Sequence, residues 1–126
     1  MSIVSDIEKL KKEKNAVILA HYYVDEDVQD IADYIGDSFY LSKVATKVDQ
    51  DRIIFAGVEF MGESAKILNP DKRVFMPDMN ADCPMAHMAD KEEILKLREE
   101  YDDLAVVCYI NSTAELKKYS DVCVTS

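Results

Sequence analysis

Apolar positions along this chain follow two rhythms. Ala16–Ala20, Arg52–Gly57 and Lys72–Met76 predict short strands; the continuous apolar run of the second, without alternation, points to a parallel sheet covered on both faces. Between them the apolar residues recur at helical spacing. Ile7 and Leu10 predict a surface helix over 6–14, and Val28, Ile31, Ala32 and Ile35 predict a helix over 28–35 with one inward face. Leu41, Val44, Ala45 and Val48 predict another over 39–48, and a helix over 59–68 is stopped by Asn69-Pro70. After an irregular stretch, Asp78 to Pro84, the pattern predicts a charged helix over 91–101, a strand over 105–108, a helix over 113–119 capped by Ser112 or Thr113, and a last strand over 121–124. Strand and helix alternate throughout, which means α/β with a parallel sheet, an αβα sandwich.

The opening strand ends in His21-Tyr22-Tyr23, and this ending has an echo. A shift of 88 residues carries His21 onto Tyr109, Tyr23 onto Asn111, Asp33 onto Asp121 and Ser38 onto Ser126. Both copies read strand, polar strand end, helix, Asp, then Ser. The expectation is a first repeat unit over 1–85 and the start of a second, incomplete copy over 86–126. The second copy reaches only the equivalent of Ser38, so the chain is expected to be a fragment cut in mid-unit.

Composition narrows the function. A chain of 126 residues with 48% hydrophobic content suits a folded globular domain. A formal charge of −10 argues against nucleic-acid and anionic-membrane partners, but local donors in a pocket still bind small anions. With no apolar run of membrane-spanning length and no secretory-type start, a cytoplasmic location is expected. Three cysteines without a Cys-x-x-Cys spacing predict neither a disulfide framework nor a zinc ribbon.

Ligands of open parallel sheets bind beyond the carboxyl ends of the strands. His21 and Tyr23 stand there as acid–base groups or as donors to a carboxylate; the alternative is a histidine hydrogen-bonded at a domain edge with tyrosines that only pack. The echo at Tyr109 and Asn111 favours a shared site. Ser38 is placed to cap the helix that starts at Phe39, a position for an anion. Cys83 lies in an irregular loop where a thiolate can face a metal. Cys108 and Cys123, among valines, are expected to be small buried hydrophobes. Glu59 and Glu63 are read as first-turn carboxylates before a catalytic pair, His87 as a surface residue, and the methionines 76, 79, 85 and 88 as packing.

Several stretches closely resemble quinolinate synthases: Ala20–Tyr23, Gln29–Ser38, Phe55–Pro70, Asp82-Cys83-Pro84, Tyr109–Glu115 and Asp121–Ser126. The resemblance covers essentially the whole chain, which matches the N-terminal part of a longer family enzyme with three similar αβα domains about a pseudo-threefold axis. It implies condensation of iminoaspartate with dihydroxyacetone phosphate to quinolinate, the precursor of the NAD pyridine ring, with loss of water and phosphate. It also implies an upstream enzyme that oxidises L-aspartate. It further implies a [4Fe–4S] cluster held by three cysteines, whose open iron acts as a Lewis acid. By position Cys83 is the one cluster ligand in this chain. His21, Ser38, Tyr109, Ile110, Asn111 and Ser126 match substrate-contacting positions, and His21, Tyr23 and Tyr109 match groups that move protons or orient substrate. The isolated chain is expected to be inactive. Two other readings stand beside this one: a stand-alone α/β module that binds a small anion without catalysis, and a structural zinc protein.

Overall fold

The computed structural model describes residues 2–125. Helix α1 (Ile3–Lys14) begins in a capping box: the Ser2 hydroxyl accepts the Ser5 amide at 3.2 Å and the Ser5 hydroxyl accepts the Ser2 amide at 3.1 Å. It ends at Asn15, whose left-handed backbone (φ 51°) turns the chain directly into strand β1. β1 (Ala16–His21) is followed by α2 (Glu26–Asp30), β2 (Tyr34–Gly36), α3 (Ser38–Ala45), β3 (Arg52–Ala56), α4 (Glu59–Leu68) and β4 (Arg73–Phe75). These strands form one parallel sheet in the order β2-β1-β3-β4. After a 3-10 turn at Pro84–His87 come α5 (Lys91–Glu100), β5 (Val107–Tyr109), α6 (Ala114–Lys118) and β6 (Val122–Val124), with β5 and β6 paired in parallel as a separate sheet.

The core lies between the four-stranded sheet and helices α3 and α4. Val17, Leu19, Ile53 and Phe55 meet Leu41, Ala45, Phe60, Met61 and Ala65, all buried. Each such large side chain removed from water stabilises the fold by about 1.5–3 kcal/mol. Gly62 lets α4 lie close to the strand that follows it, because a Cβ there would collide with the Met76 thioether. On the opposite face, α1 and α2 cover only part of the sheet. Ile7, Leu10, Ile18, Ile31, Ile54 and Phe75 line an apolar groove of about 560 Å³ there.

The helix expected over 28–35 is formed only in its first part. α2 ends at Asp30, and Tyr34–Gly36 is strand β2, pairing Leu19, Ala20 and His21 with Tyr34, Ile35 and Gly36. Asp33 decides this. Its amide donates to the Ile18 carbonyl at 2.9 Å, and its carboxylate accepts the Ile18 amide at 2.8 Å and the Lys11 ammonium at 2.8 Å. That latch lays the next residues alongside β1, and sheet hydrogen bonds override a helical hydrophobic period. The cap of α3 also differs from expectation. Asp37, not Ser38, accepts the Tyr40 amide at 2.7 Å, and Ser38 is the first helical residue, 9% exposed.

The 88-residue correspondence holds element by element. α2 and β2 fall on α6 and β6, and the pairing of His21 with Gly36 falls on that of Tyr109 with Val124. Asp121 repeats the latch: its amide donates to Val106 O at 2.9 Å, its carboxylate accepts the Val106 amide at 2.7 Å, and Arg98 stands in for Lys11 at 2.9 Å.

Candidate functional site

The carboxyl ends of β1 and β3 open into a cleft of about 590 Å³. His21 and Tyr23 come to it from the end of β1, Ser38 from the start of α3, Gly57 and Val58 from the turn between β3 and α4, and Cys83 from the loop before the 3-10 turn. Asn111, beyond the end of β5, lies across from them and completes the wall. Phe60 and Met61 form the apolar floor. The cleft therefore sits where the topology of a parallel sheet places a ligand site.

His21 is held as a neutral base. Its Nδ1 accepts the Tyr23 amide at 3.1 Å, which leaves the proton on Nε2. Burial disfavours the imidazolium and pushes its pKa below the ordinary 6.5, while the carboxylate of Asp37 pulls the other way. The ring stacks on Tyr22 at 4.6 Å between centroids and tilts against Tyr23 at 4.7 Å. The turn that carries the two tyrosines is tied by the Gln29 amide, which donates to Tyr22 O at 3.1 Å and Val24 O at 2.8 Å.

On the opposite wall the Asn111 side-chain amide donates to the Tyr109 hydroxyl at 3.3 Å. Tyr109 is thereby tied to the cleft through Asn111, while Ile110 packs in a seam with Ser38, Phe39, Phe60 and Met61. The junction of the two walls is polar. Glu63 Oε2 accepts the Ala114 amide at 3.3 Å, Glu63 Oε1 is buried with no partner, and the Lys117 ammonium donates to Ser64 Oγ at 2.6 Å. Burial holds the Lys117 pKa below its usual value, against the pull of Cys123 and Glu63.

Among the described residues no Lys or Arg lines the cleft, and Asp25 and Asp78 do. Its donors are uncharged: an imidazole N–H, a phenol, a hydroxyl and a carboxamide. Two helix N-termini, those of α3 and α4, add their partial positive charge, and α4 has no side-chain cap at Val58. Such a site orients carboxylate or phosphate oxygens by hydrogen bonds and helix dipoles.

Residues 5–126 match the sequence model of the quinolinate synthetase A protein family. The chain belongs to the quinolinate synthase family. It is 68% identical over 120 residues to the quinolinate synthase of Fusobacterium nucleatum, covering 95% of this chain and 40% of that protein. It is 59% identical over 126 residues to the quinolinate synthase of Pyrococcus abyssi and 57% to that of Clostridium perfringens strain 13, covering 100% of this chain and 42% of each relative. The chain thus spans about 40% of the length of these curated relatives.

Against the iron–sulfur cluster that a quinolinate synthase resemblance implies, this chain offers one thiol at the cleft. Cys83 is half-buried, packs against the core, and its amide donates to Asp82 Oδ1 at 2.8 Å. A cluster takes three or four thiolates, and among the described residues no group of three or more His, Cys, Asp or Glu could hold a metal ion. The residues present do not fit a cluster on their own.

The structure brings His21, Tyr23, Ser38, Cys83 and Asn111 to one cleft, with Ile110 and Tyr109 behind Asn111. Ser126 lies outside the described residues. Glu59 is exposed and Glu63 faces the Ala114 amide, so they form no pair in the cleft. His87 is exposed and meets Asp82 at 2.8 Å. Two expectations are corrected. Cys108 is half-buried and Cys123 exposed; among the described residues β5 and β6 form a sheet of two strands with no third strand beside them. Met79, Met85 and Met88 are 77%, 72% and 79% exposed; only Met76 packs, against Gly62. Sequence reasoning missed Gly57 and Asp37. A Cβ on Gly57 would stand 2.7 Å from Met61 Sδ and 3.7 Å from His21 Cβ; a glycine directly after a buried strand is the signal that marks such close approach.

Proposed function

We propose that this chain builds one wall of the site in which a quinolinate synthase condenses iminoaspartate with dihydroxyacetone phosphate to quinolinate, in the biosynthesis of NAD. The observation that carries the reading is the convergence of His21, Ser38, Cys83 and Asn111, from four separate segments, on one cleft at the strand ends. In it His21 Nε2–H and the Asn111 amide hold a substrate carboxylate, and Ser38, at the N-terminus of α3, and Ile110, in the seam behind it, shape the pocket for the other oxygens. Tyr23, at the rim, and Tyr109, oriented by Asn111, exchange protons with the substrate alongside His21. Ser126 would add a further hydroxyl contact. The chain divides on this reading into a first unit over 1–85 and the start of a second over 86–126.

Cys83 is proposed as a ligand of the [4Fe–4S] cluster, with the other thiolates supplied by parts of the family's proteins that do not align with this chain. By itself the chain is then inactive. It works in the cytoplasm downstream of an L-aspartate-oxidising enzyme, and no nucleic acid or membrane takes part; among the described residues no helix is long and apolar enough to cross a membrane.

The test is anaerobic reconstitution of the chain with iron and sulfide, read by the iron–sulfur absorbance and by quinolinate formation, with calorimetric titration of a small dicarboxylate alongside. A full cluster with turnover would refute the inactivity. Dicarboxylate binding should weaken about 10-fold to 100-fold in His21→Ala and in Asn111→Ala, the worth of a hydrogen bond to a charged group. Equal binding by the native chain and both variants would refute the site.

A further inference from the structure

Cys108 and Cys123 are register partners in the β5–β6 pair. Neighbouring strands lie about 4.8 Å apart, and partners in register present their side chains on the same face. That Cα separation falls inside the window of about 4.4–6.8 Å that a disulfide accepts. Cys108 Sγ meets Ser112 Oγ at 3.0 Å and the Tyr109 carbonyl at 3.4 Å. Cys123 is exposed, so a small oxidant reaches it. The groups facing the pair are the Lys117 ammonium, Ser112 and, behind Lys117, Glu63.

We propose that Cys108 and Cys123 are a modification site for low-molecular-weight disulfides of the glutathione type, closing on oxidation into a disulfide that ties β5 to β6. The thiolate of exposed Cys123 attacks one sulfur of the small disulfide, forming a mixed disulfide and releasing one small thiolate. The thiolate of Cys108 then attacks Cys123 Sγ in that mixed disulfide, forming the Cys108–Cys123 bond and expelling the second small thiolate. The protein loses two electrons and two protons; the small disulfide gains them as two thiols. The Lys117 ammonium pulls the Cys123 thiol toward its thiolate, while burial and the neighbouring Cys108 outweigh that pull and set it above its ordinary value. Closing the bond takes Cys108 Sγ away from Ser112 Oγ, one residue from Asn111 at the cleft. The covalent state of the pair thus reaches the site wall. The inference stands on the β5–β6 register and does not depend on the proposed reaction.

The experiment exposes the reduced 126-residue chain to oxidised glutathione without oxygen, quenches with an alkylating maleimide, and maps the peptides by mass. The result expected is a linked Cys108–Cys123 peptide with Cys83 alkylated, formed about tenfold or more faster in the folded chain than in strong urea because the fold holds the thiols together. Cys108→Ser should halt the reaction at a glutathione adduct on Cys123. Separate glutathione adducts on both cysteines, a link to Cys83, or equal rates folded and unfolded would overturn the proposal.

Discussion

Replacing Asp33 by alanine tests whether one carboxylate sets the path of the chain around the first wall of the cleft. The carboxylate serves two partners. The Ile18 amide donates to it at 2.8 Å from a residue only 6% exposed, and a buried donor left without a partner costs about 1–3 kcal/mol. The Lys11 ammonium meets it at 2.8 Å, with side chains 12% and 33% exposed, a pair that solvent screening limits to about 0.2–1 kcal/mol. Burial alone would lower the Lys11 pKa, but Asp33 and Glu8 outweigh it and the net shift is upward, which agrees with a favourable pair. Asp33→Ala should therefore cost about 2–3 kcal/mol in urea unfolding. Asp33→Asn keeps an acceptor for the Ile18 amide and should cost about 1 kcal/mol or less. Amide exchange at Ile18 should accelerate in the alanine variant, and exchange at Val106 should do so in Asp121→Ala, which removes the equivalent latch 88 residues on. If Asp33→Ala costs less than about 0.5 kcal/mol, the range of a bland surface change, or if asparagine is as damaging as alanine, the latch does not direct the fold.

Two further outcomes concern the cleft. The His21 imidazole should titrate by NMR with a midpoint below 6.5, since burial disfavours its charged form. Between 6.5 and that midpoint the unfolded chain binds more protons than the folded one, so stability falls as pH drops through the window and is flat above it; a midpoint at or above 6.5 contradicts the buried neutral imidazole. Gly57→Ala should cost about 1–3 kcal/mol by urea unfolding, because its Cβ forces Met61 to move. The same variant should weaken dicarboxylate binding by crowding His21, and a variant neutral in both respects would show the approach to be slack.

Much of the architecture was legible because periodicity and punctuation agreed. α4 was readable over 59–68, since an amphipathic period runs into the Asn69-Pro70 stop. β1 and β3 were readable as continuous apolar runs. β2 was not, because Tyr34-Ile35-Gly36 continues a helical period and only the Asp33 latch, a tertiary contact, overrides it. The echo held the missing clue: 88 residues on, Val122-Cys123-Val124 reads as a strand without ambiguity. The strand-end site was legible for the same topological reason that places ligands there in any parallel sheet. The exposure of Cys108 and Cys123 was not, because burial of a valine-rich strand depends on neighbours that its own sequence does not name.

The Gln29 amide, bonded to the Tyr22 and Val24 carbonyls, gives the cleft walls unequal stiffness. His21 sits inside a ladder that breaks only when β1 parts from β2, whereas Tyr23, 81% exposed, rides a turn pinned by the Gln29 amide, by its own amide on His21 Nδ1, and by two backbone bonds, Tyr22 N to Gly36 O and Val24 N to His21 O. The phenol can therefore swing over the opening on the timescale of loop motion while the imidazole stays fixed. A group that anchors and a group that comes and goes are thus only two residues apart in the chain, and loosening Gln29 would alter how quickly the rim opens without altering what the floor recognises.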